Sequence, residues 1–538
     1  MNEVQKSLFN LLLELDGICK KHDITYYLIG GSALGAIRHQ GFLPWDDDAD
    51  IVMTRDNWEK LKKAFETDLP PNRQCVGWHN CDDEPSVFFR YVDTTQTFIL
   101  HSLWDHPMPW GGIIDIFVLN PLPVDQSKWD NYHKAMRRFG EYIMDTFILV
   151  NNHVSISAYL MDCLTGKLKS PAYVKNKLYS KLSQYDEKTC THFSYLYARL
   201  HIVYAKEIFQ EPRYVPFEGH MLPVPTLVEE HLRILFGDEW YNIPKDSDKI
   251  THVAQHDIKR SYLEYMHDYL HYTKRDYLHK RSMRAKVLKM FRAKLILRRD
   301  RRIALLRAGY LKKVFTAEYK TRAQEFEALY QQGEFSVLYQ AFLPYYSEQL
   351  LPVMQSSGVA IEIPARYLEL ALRTLIAAGY SRKAEKIMAI YKKVQVATEG
   401  FWNEITAIIR NKNDMFIAYE NGDSNAEDLA RELFAQFPYD RDVRLMMLWI
   451  AINAADSNSI QLNYLLNEAK IGEAQWPEKA EFKKARADIF AKQGKMAEAD
   501  NLYEEVIRST NNGMMLLQIS QMRAERGEAN NDCNREDI

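Results

Sequence analysis

The sequence predicts a mixed α/β domain with a small mixed sheet, followed by an all-α domain of helical repeats. Three observations predict this: helix and strand patterns alternate in the first half, helical spacing dominates the second, and 538 residues exceed one hydrophobic core. Hydrophobic residues at 46% and charged residues at 26% exclude disordered and fibrous classes. The formal net charge of -3 gives no general argument for nucleic-acid binding, and we expect no nucleic-acid partner.

The predicted α/β domain covers residues 1–272. Its first element is an amphipathic helix, because Val4, Leu8, Leu11 and Leu15 recur at helical spacing. An apolar run then predicts a short buried strand that ends in a Gly-Gly-Ser turn, and a short helix follows. Later strands are predicted over 48–53, 74–78, 87–92 and 113–118, and a mainly helical stretch over 127–208.

The N-terminal helix does not read as a signal peptide. Glu3, Glu14 and Asp16 lie among its apolar residues, and no small-residue cleavage site follows. No apolar stretch approaches the roughly 20 residues that cross a bilayer. We therefore expect a cytoplasmic protein whose membrane contact, where it has one, is peripheral on the inner face.

A basic amphipathic linker is predicted over residues 273–313. Between Lys274 and Lys313 the chain has sixteen Lys or Arg residues and two Asp residues. Three functions fit such a segment: a solvated connecting helix, a peripheral contact with anionic lipid, or, last in order, nucleic-acid binding. A lipid contact would suit an enzyme whose acceptor is linked to lipid.

Residues 314–526 are predicted to form a tetratricopeptide-like helical domain, and residues 527–538 a disordered tail. Two segments share a Gly-then-Ala offset, with Gly379 and Ala384 in one and Gly494 and Ala499 in the other. Stacked helical hairpins usually present a surface to a protein partner. The full repeat consensus is absent, so the pattern predicts a class of architecture and no named repeat.

The cysteines indicate neither a disulfide framework nor a clear metal centre. The six of them are irregularly spaced and include no C-x-x-C pair. Cys75, His79 and Cys81 are close enough in sequence for a zinc clip, although ordinary partly buried side chains are the alternative that we prefer.

The residues that indicate chemistry lie between residues 28 and 53, in LIGGSALGAIRHQGFLPWDDDADIVM. A buried strand that ends in Gly30, Gly31 and Ser32 brings backbone N–H groups and a hydroxyl to the start of a helix. The helix dipole favours a phosphate at that point.

Asp48 and Asp50 bracket one alanine at the predicted start of a strand. Because strand side chains alternate, both carboxylates are expected on one face, about 7 Å apart. Unpaired neighbouring carboxylates repel, so a structural reason for this cluster is hard to find. Asp115 interrupts the apolar strand GGIIDIFVL and is the best third carboxylate. Oxygen ligands of this kind suit Mg²⁺ or Mn²⁺.

At this point the segment GGSALGAIRHQGFLPWDDDADIVM resembles the signature of the LicD family of phosphocholine transferases, which is related to the fukutin-type ribitol-phosphate transferases. The later segments FFRYVDTTQTF, GGIIDIFVLNPLP and LPVPTLVEEHLRILFGDEW also resemble family elements, so the likeness covers about residues 1–265. It implies a nucleotidyltransferase-like fold and transfer of a phospho-alcohol, commonly phosphocholine from CDP-choline, to a sugar hydroxyl.

The resemblance also implies residue roles. Asp48 and Asp50 match the D-x-D metal pair and Asp115 the third acid. In the two-metal displacement that the charges suggest, Asp115 or Asp48 is well placed to accept the proton. Substrate-binding roles follow for six positions: Gly30, Gly31, Ser32, Arg38, His39 and Arg90. Among these, His39 is equally suited to a structural hydrogen bond, and Arg90 stands where relatives often have Lys.

The expected partners are a CDP-alcohol donor and, as acceptor, a cell-surface glycan or lipid-linked saccharide. Two other functions remain open. One is true nucleotidyl transfer, in which the nucleoside monophosphate joins the acceptor and diphosphate leaves. The other is a non-catalytic scaffold that works through its helical half, which the intact acids argue against.

Overall fold

The structure is a computed structural model, and it describes most of the chain. The described residues are 1–81, 84–100, 108–143, 156–195, 202–244, 249, 251–264, 302, 305, 308–309, 311–313, 316–345, 354, 360–392, 398–456 and 460–525. The chain divides into two units. The first holds Met1–Phe236 and the described residues of Ile243–Leu297, and the second holds Gly237–Asn242 and the described residues of Arg298–Asn530.

Two predicted segments fall mostly or wholly outside this description. Of the predicted basic linker, 273–313, only seven positions are described, and the predicted tail, 527–538, is not described at all. Both therefore stay predictions.

A mixed sheet carries the first unit. Its strands run in the order β1-β2-β6-β4-β3, with β7 paired to β6 and β8 to β7. Strands β2 and β6 are parallel, and the other pairs are antiparallel. The seven described strands of this sheet are β1 (Tyr27–Leu28), β2 (Asp50–Thr54), β3 (Arg73–Val76), β4 (Phe89–Asp93), β6 (Gly112–Pro121), β7 (His192–Tyr195) and β8 (Tyr204–Ala205). Strand β5 (Thr97–Leu100) follows β4 in the chain but lies outside this sheet.

Two smaller antiparallel pairs complete the strands. A hairpin joins β9 (Arg213–Phe217) to β10 (His220–Val224), and β11 (Val253–Asp257) pairs with β5. The second pairing brings a strand from far along the chain back to the sheet-forming part of this unit.

Seven helices surround these strands in the described part of the first unit. The helices are α1 (Glu3–Lys21), α2 (Gly30–His39), α3 (Arg55–Asp68), α4 (Trp129–Ile143), α5 (Ile156–Leu168), α6 (Pro171–Tyr179) and α7 (Val228–Phe236). The predicted apolar stripe of α1 is buried, including Leu8, Leu12 and Leu15, and α1 packs on β6. Its start is fixed by a capping box between Asn2 and Gln5.

Strand positions differ from the sequence prediction in two places. The strand predicted over 48–53 begins at Asp50, because the Asp47 carboxylate accepts hydrogen bonds from the backbone N–H groups of His252 and Val253, at 2.8 and 2.9 Å, and holds the preceding residues in a loop. The stretch expected to be mainly helical, 127–208, also contains β7 and β8.

The described part of the second unit is mainly helical. Residues 316–331 are helical. Ten further helices are α8 (Phe335–Tyr345), α9 (Ala365–Ala377), α10 (Ser381–Tyr391), α11 (Glu399–Glu420), α12 (Ala426–Gln436), α13 (Arg441–Ala454), α14 (Ile460–Gln475), α15 (Ala480–Lys492), α16 (Met496–Ser509) and α17 (Gly513–Glu525).

Both segments with the Gly-then-Ala offset form helical hairpins. Gly379 lies between α9 and α10 with φ +84, and Gly494 lies between α15 and α16 with φ +76. This left-handed backbone favours glycine because it has no Cβ. Ala384 and Ala499 are fully buried in the second helix of each hairpin. The assignment to a repeat class remains a prediction.

None of the helices in the described parts of the chain combines the length and the apolar character needed to cross a membrane.

Candidate active site

Asp50 and Asp115 face each other across the two parallel strands. Asp50 begins β2, and its Cα partner in β6 is Asp115. The Asp115 backbone N–H donates to the carbonyl oxygen of Ala49 at 2.9 Å, so the ladder reaches the residue between Asp48 and Asp50. Neighbouring strands lie about 4.8 Å apart, which places the two carboxylates side by side.

The first turn of α2 lies against the same acids. A Cβ added to Gly31 would lie 2.6 Å from Oδ2 of Asp46, and one added to Gly30 would lie 3.1 Å from Oδ2 of Asp50. Gly30 also has φ +57, a conformation that L side chains rarely adopt. The predicted Gly-Gly turn is therefore the start of the helix, and its positive end faces two carboxylates.

Ser32 fixes the strand to the helix. Its Oγ accepts a hydrogen bond from the Asp50 backbone N–H at 2.9 Å, and the residue is 1% exposed. This hydrogen bond fixes the position of the Asp50 backbone relative to the first turn of α2.

The acids of this site repel one another. Burial, followed by the charges of Asp48, Asp115 and Asp46, raises the pKa of Asp50 well above its usual range. Burial and the Asp48 charge do the same for Asp46. Burial raises the pKa of Asp115 to about 6, against the lowering effect of the Arg90 guanidinium. A cation would relieve this repulsion.

Arg90 holds Asp115 in place. On β4 it is the Cα partner of Asp115, and its Nε donates to Oδ1 of that acid at 3.0 Å. Its Nη1 donates to Oε1 of Glu84 at 2.6 Å, and the Glu84 side chain is fully buried. Although burial opposes it, the charges of Glu84 and Asp115 raise the pKa of Arg90. In this structure the guanidinium binds two carboxylates.

Arg38 and His39 lie at the end of α2 beside Trp45. Both are buried, and burial lowers the pKa of Arg38 to about 10. The Arg38 guanidinium carbon is 5.8 Å from the Trp45 ring centroid, and the His39 ring meets the same indole edge-on at 6.1 Å. The Lys249 ammonium lies 4.5 Å from that centroid. Three side chains therefore pack around the Trp45 indole at this end of α2.

His252 is a site residue that the sequence interpretation missed. Its Nδ1 lies 3.0 Å from Oδ2 of Asp48 and 3.5 Å from Oδ1 of Asp47. The side-chain hydrogen bond with Asp47, reinforced by the charges of Asp48 and Asp46, raises the pKa of His252 to about 9. No local pattern marks it, because it stands in a polar segment about two hundred residues after the acids.

The described residues contain one compact group of metal-ligating side chains, and it lies beside the predicted ligands. Among the described residues, the three groups whose ligand atoms all lie within 4.8 Å of one another are Asp46, Asp47 and His252. The charge of Asp48 raises the pKa of both Asp50 and Asp115, so the three acids are neighbours. Their carboxylate oxygens do not all lie within 4.8 Å of one another. Asp46 was absent from the predicted ligands because it precedes the predicted strand, and the alternation of strand side chains says nothing about its direction.

His231 is a second residue that only the tertiary structure reveals. It lies on α7, is fully buried, and its Nε2 accepts the Gly30 backbone N–H at 3.4 Å. Its ring stacks on Tyr204 with centroids 5.3 Å apart. Burial lowers its pKa to about 3, so the imidazole stays neutral and can accept.

The alternative zinc clip receives no geometric support in the described residues. Cys75, His79 and Cys81 do not form a group with ligand atoms within 4.8 Å. Burial raises the pKa of Cys75 to about 12, which disfavours the thiolate that zinc requires.

Comparison with known proteins shows what the N-terminal region resembles. Residues 23–107 match the family model described as LicD/FKTN/FKRP, nucleotidyltransferase domain. A lipopolysaccharide cholinephosphotransferase LicD of Haemophilus influenzae is 24% identical over 274 residues, which are 47% of this chain and 96% of the relative. The N-terminal region carries a LicD domain.

Other relatives share shorter parts of the chain. An uncharacterized protein of Rickettsia typhi is 44% identical over 135 residues, 23% of this chain and 40% of that protein. A second one, from Rickettsia prowazekii, is 44% identical over 59 residues, 11% of this chain and 22% of its own length. No solved structure matches the chain.

The family match and the site geometry overlap only in part. The matched residues of the LicD domain include Gly30 and Gly31, the acids of the DDDAD run and Arg90. Asp115, His231 and His252 lie beyond residue 107, yet the fold brings all three to the same acids or to the start of α2.

Proposed function

We propose that this chain is a metal-dependent phosphotransferase that moves a phospho-alcohol, phosphocholine or a similar group, from a CDP-activated donor to a hydroxyl of a glycan or lipid-linked saccharide. The observation that carries the proposal is the placement of Asp50 opposite Asp115 beside the first turn of α2, in a LicD domain. The name of the Haemophilus relative supports phosphocholine as the group and lipopolysaccharide as the acceptor class.

The residues fit a divalent cation. Asp46, Asp48, Asp50 and Asp115 supply carboxylate oxygens, the ligand type that Mg²⁺ and Mn²⁺ prefer. The raised pKa values of Asp46 and Asp50 mean that the acids are costly to hold ionised together. Bound Mg²⁺ would polarise the phosphoryl oxygens and lower the pKa of the attacking hydroxyl.

The chain's own residues then have distinct tasks. Asp50 and Asp115 orient the phosphate region, and the hydrogen bond from Arg90 positions Asp115. Apart from the Gly30 N–H, which His231 accepts, the backbone N–H groups at the start of α2 offer donors to a phosphate oxygen. Asp48 or Asp115 accepts the proton of the acceptor hydroxyl as its oxygen attacks the phosphorus that bears the alcohol. The bond to the nucleoside monophosphate breaks, and that group leaves.

The test is product analysis with purified full-length protein and Mg²⁺. A panel of CDP-alcohols is incubated with and without lipopolysaccharide or lipid-linked saccharides, and free CMP is measured. We expect acceptor-dependent CMP release with wild type and with Glu66→Gln, an exposed acid on α3. We expect none with Asp50→Asn.

The same experiment separates the alternatives. Pyrophosphate release from a nucleoside triphosphate, with the monophosphate joined to the acceptor, would replace this proposal by nucleotidyl transfer. Equal CMP release by wild type and Asp50→Asn would remove the acids from catalysis.

A further inference from the structure

The hairpin of helices α5 and α6 carries an apolar surface that faces solvent. On α5, Met161, Leu164 and Leu168 are 58%, 46% and 77% exposed. Their spacing of i, i+3 and i+7 puts them on one side of the helix. Tyr173 on α6 is 42% exposed and follows closely in the chain. Four such residues in succession differ from the single exposed apolar residues that are normal on a protein surface.

The opposite side of α5 packs against α4 and α6, so the exposed residues belong to a helix that is held in place. Asp162 accepts two hydrogen bonds from the Arg138 guanidinium on α4, at 2.6 and 2.7 Å. A Cβ added to Gly166 would lie 2.4 Å from the Tyr142 hydroxyl and 3.8 Å from Val174. Helix α5 is therefore held against α4 and α6 in a fixed rotation.

Within residues 156–181, exposed lysines accompany the apolar residues, and the one acid is buried. Residues 156–181 contain five lysines and one acid, Asp162, whose charge is paired with Arg138. Lys167, Lys169 and Lys177 are exposed. The Lys169 ammonium lies 4.2 Å from the Tyr173 ring centroid. We call this surface, made of Met161, Leu164, Lys167, Leu168, Lys169 and Tyr173, the α5–α6 face.

An apolar stripe edged by lysines matches one partner chemistry. Apolar side chains insert at the boundary between headgroups and acyl chains, and each nearby lysine gains from anionic headgroups. A protein partner would require complementary acids around an apolar socket. We propose that the α5–α6 face binds the surface of an anionic lipid bilayer. The proposal does not depend on the chemistry at Asp50 and Asp115.

The test uses full-length protein and vesicles of phosphatidylcholine, alone or mixed with phosphatidylglycerol, with vesicle-bound protein measured by flotation. Wild type is expected to bind the mixed vesicles and to bind phosphatidylcholine weakly. Two double variants should each lower the vesicle-bound fraction about tenfold or more. One is Leu164→Asp with Leu168→Asp, and the other is Lys167→Gln with Lys169→Gln. All four positions are exposed, so both variants should fold, which circular dichroism checks.

Matched controls share the residue type but not the surface. Met221→Asp changes an apolar residue that is 53% exposed on β10, and Lys63→Gln changes an exposed lysine on α3. Both should bind vesicles like wild type.

Several outcomes overturn the proposal. Wild-type binding by both double variants would assign vesicle binding to another part of the chain, such as the predicted basic linker. Equal binding to both kinds of vesicle, or none to the mixed ones, would exclude an anionic bilayer as the occupant. A wild-type dimer that the leucine variant turns into a monomer, with vesicle binding unchanged, would make the face a contact between copies.

Discussion

Asp50 and Asp115 occupy paired positions on two parallel strands, but among the described residues an arginine pairs with Asp115 alone. Arg90 donates to Asp115 at 3.0 Å, whereas the surroundings of Asp50 are mostly other acids and the start of α2. Ionisation of either carboxylate therefore destabilises the metal-free protein, and the effect is larger for Asp50 than for Asp115.

The first prediction concerns the fold of the two acid variants without metal. The pKa of Asp50 is raised, so its ionisation destabilises the folded state as pH rises above the unfolded value near 4. Asp50→Asn should raise the thermal midpoint in EDTA at pH 7. The pKa of Asp115 is raised less, to about 6, because Arg90 opposes the effect of burial, so Asp115→Asn should raise the midpoint by less than Asp50→Asn. Both should abolish CMP release.

Thermal unfolding in EDTA and in Mg²⁺ checks this prediction. Wild type and Glu66→Gln should gain stability on adding Mg²⁺, and both site variants should gain less. A lower midpoint for Asp50→Asn than for Asp115→Asn in EDTA would contradict the proposed charge balance.

The second prediction concerns His252. Its raised pKa of about 9 means that its stabilising charge is fully present below about pH 6.5 and is lost as pH rises through 9. Because half of the side chain is exposed, solvent screening limits this to about 1 kcal/mol. His252→Gln should flatten this alkaline loss and lower turnover about tenfold, since Asp48 loses a positioning contact.

Unfolding at pH 6 and pH 9, with CMP release at pH 7, measures both effects. His220→Gln is the control, because His220 is also exposed in the first unit and lies on β10. Unchanged turnover in His252→Gln would show that Asp48 needs no support from this imidazole.

The third prediction concerns acid sensitivity at His231. Its pKa is depressed to about 3, so the folded state excludes a proton that the unfolded chain binds below about pH 6.5. Stability present above pH 6.5 is therefore lost as pH falls towards 3. Between pH 6.5 and 5 this amounts to about 2 kcal/mol. His231→Gln keeps an acceptor for the Gly30 N–H and should remove that loss.

Urea unfolding at pH 7 and pH 5 gives the comparison. His256→Gln, an exposed histidine on β11, should keep the wild-type acid loss. If His231→Gln loses as much unfolding free energy between pH 7 and pH 5 as wild type does, other groups cause the acid sensitivity.

The fourth prediction concerns a buried ion pair in the second unit. Lys412 on α11 is 1% exposed, and its ammonium donates to both oxygens of Asp440, at 2.9 and 2.8 Å, and to the Ile376 carbonyl oxygen. Lys412→Met leaves a buried carboxylate unpaired and should cost about 3 kcal/mol. Lys412→Met with Asp440→Asn should cost less than the sum of the two single changes.

Urea unfolding of the four proteins completes the double-mutant cycle. Lys470→Met, an exposed lysine on α14, should change stability by less than about 0.5 kcal/mol. Additive costs for Lys412 and Asp440 would show that the pair does not interact.

Sequence patterns predicted the elements that local physics controls. The apolar stripe of α1, the strands that carry Arg90 and Asp115, and the glycine turns at Gly379 and Gly494 all follow from spacing and backbone preference. The D-x-D pattern and the acid within GGIIDIFVL singled out two carboxylates that the sheet pairs directly.

What the sequence by itself determined was therefore which residues belong to the sheet and which acids have no structural reason to be there. The tertiary structure alone decided what surrounds them. Asp47 binds the backbone of His252, and the His252 ring contacts Asp48 although it lies some two hundred residues later in the chain. His231 accepts the hydrogen bond of the Gly30 N–H. The physical reason is distance along the chain. Periodicity reports a residue's neighbours within one element, whereas these contacts arise only when separate elements pack together.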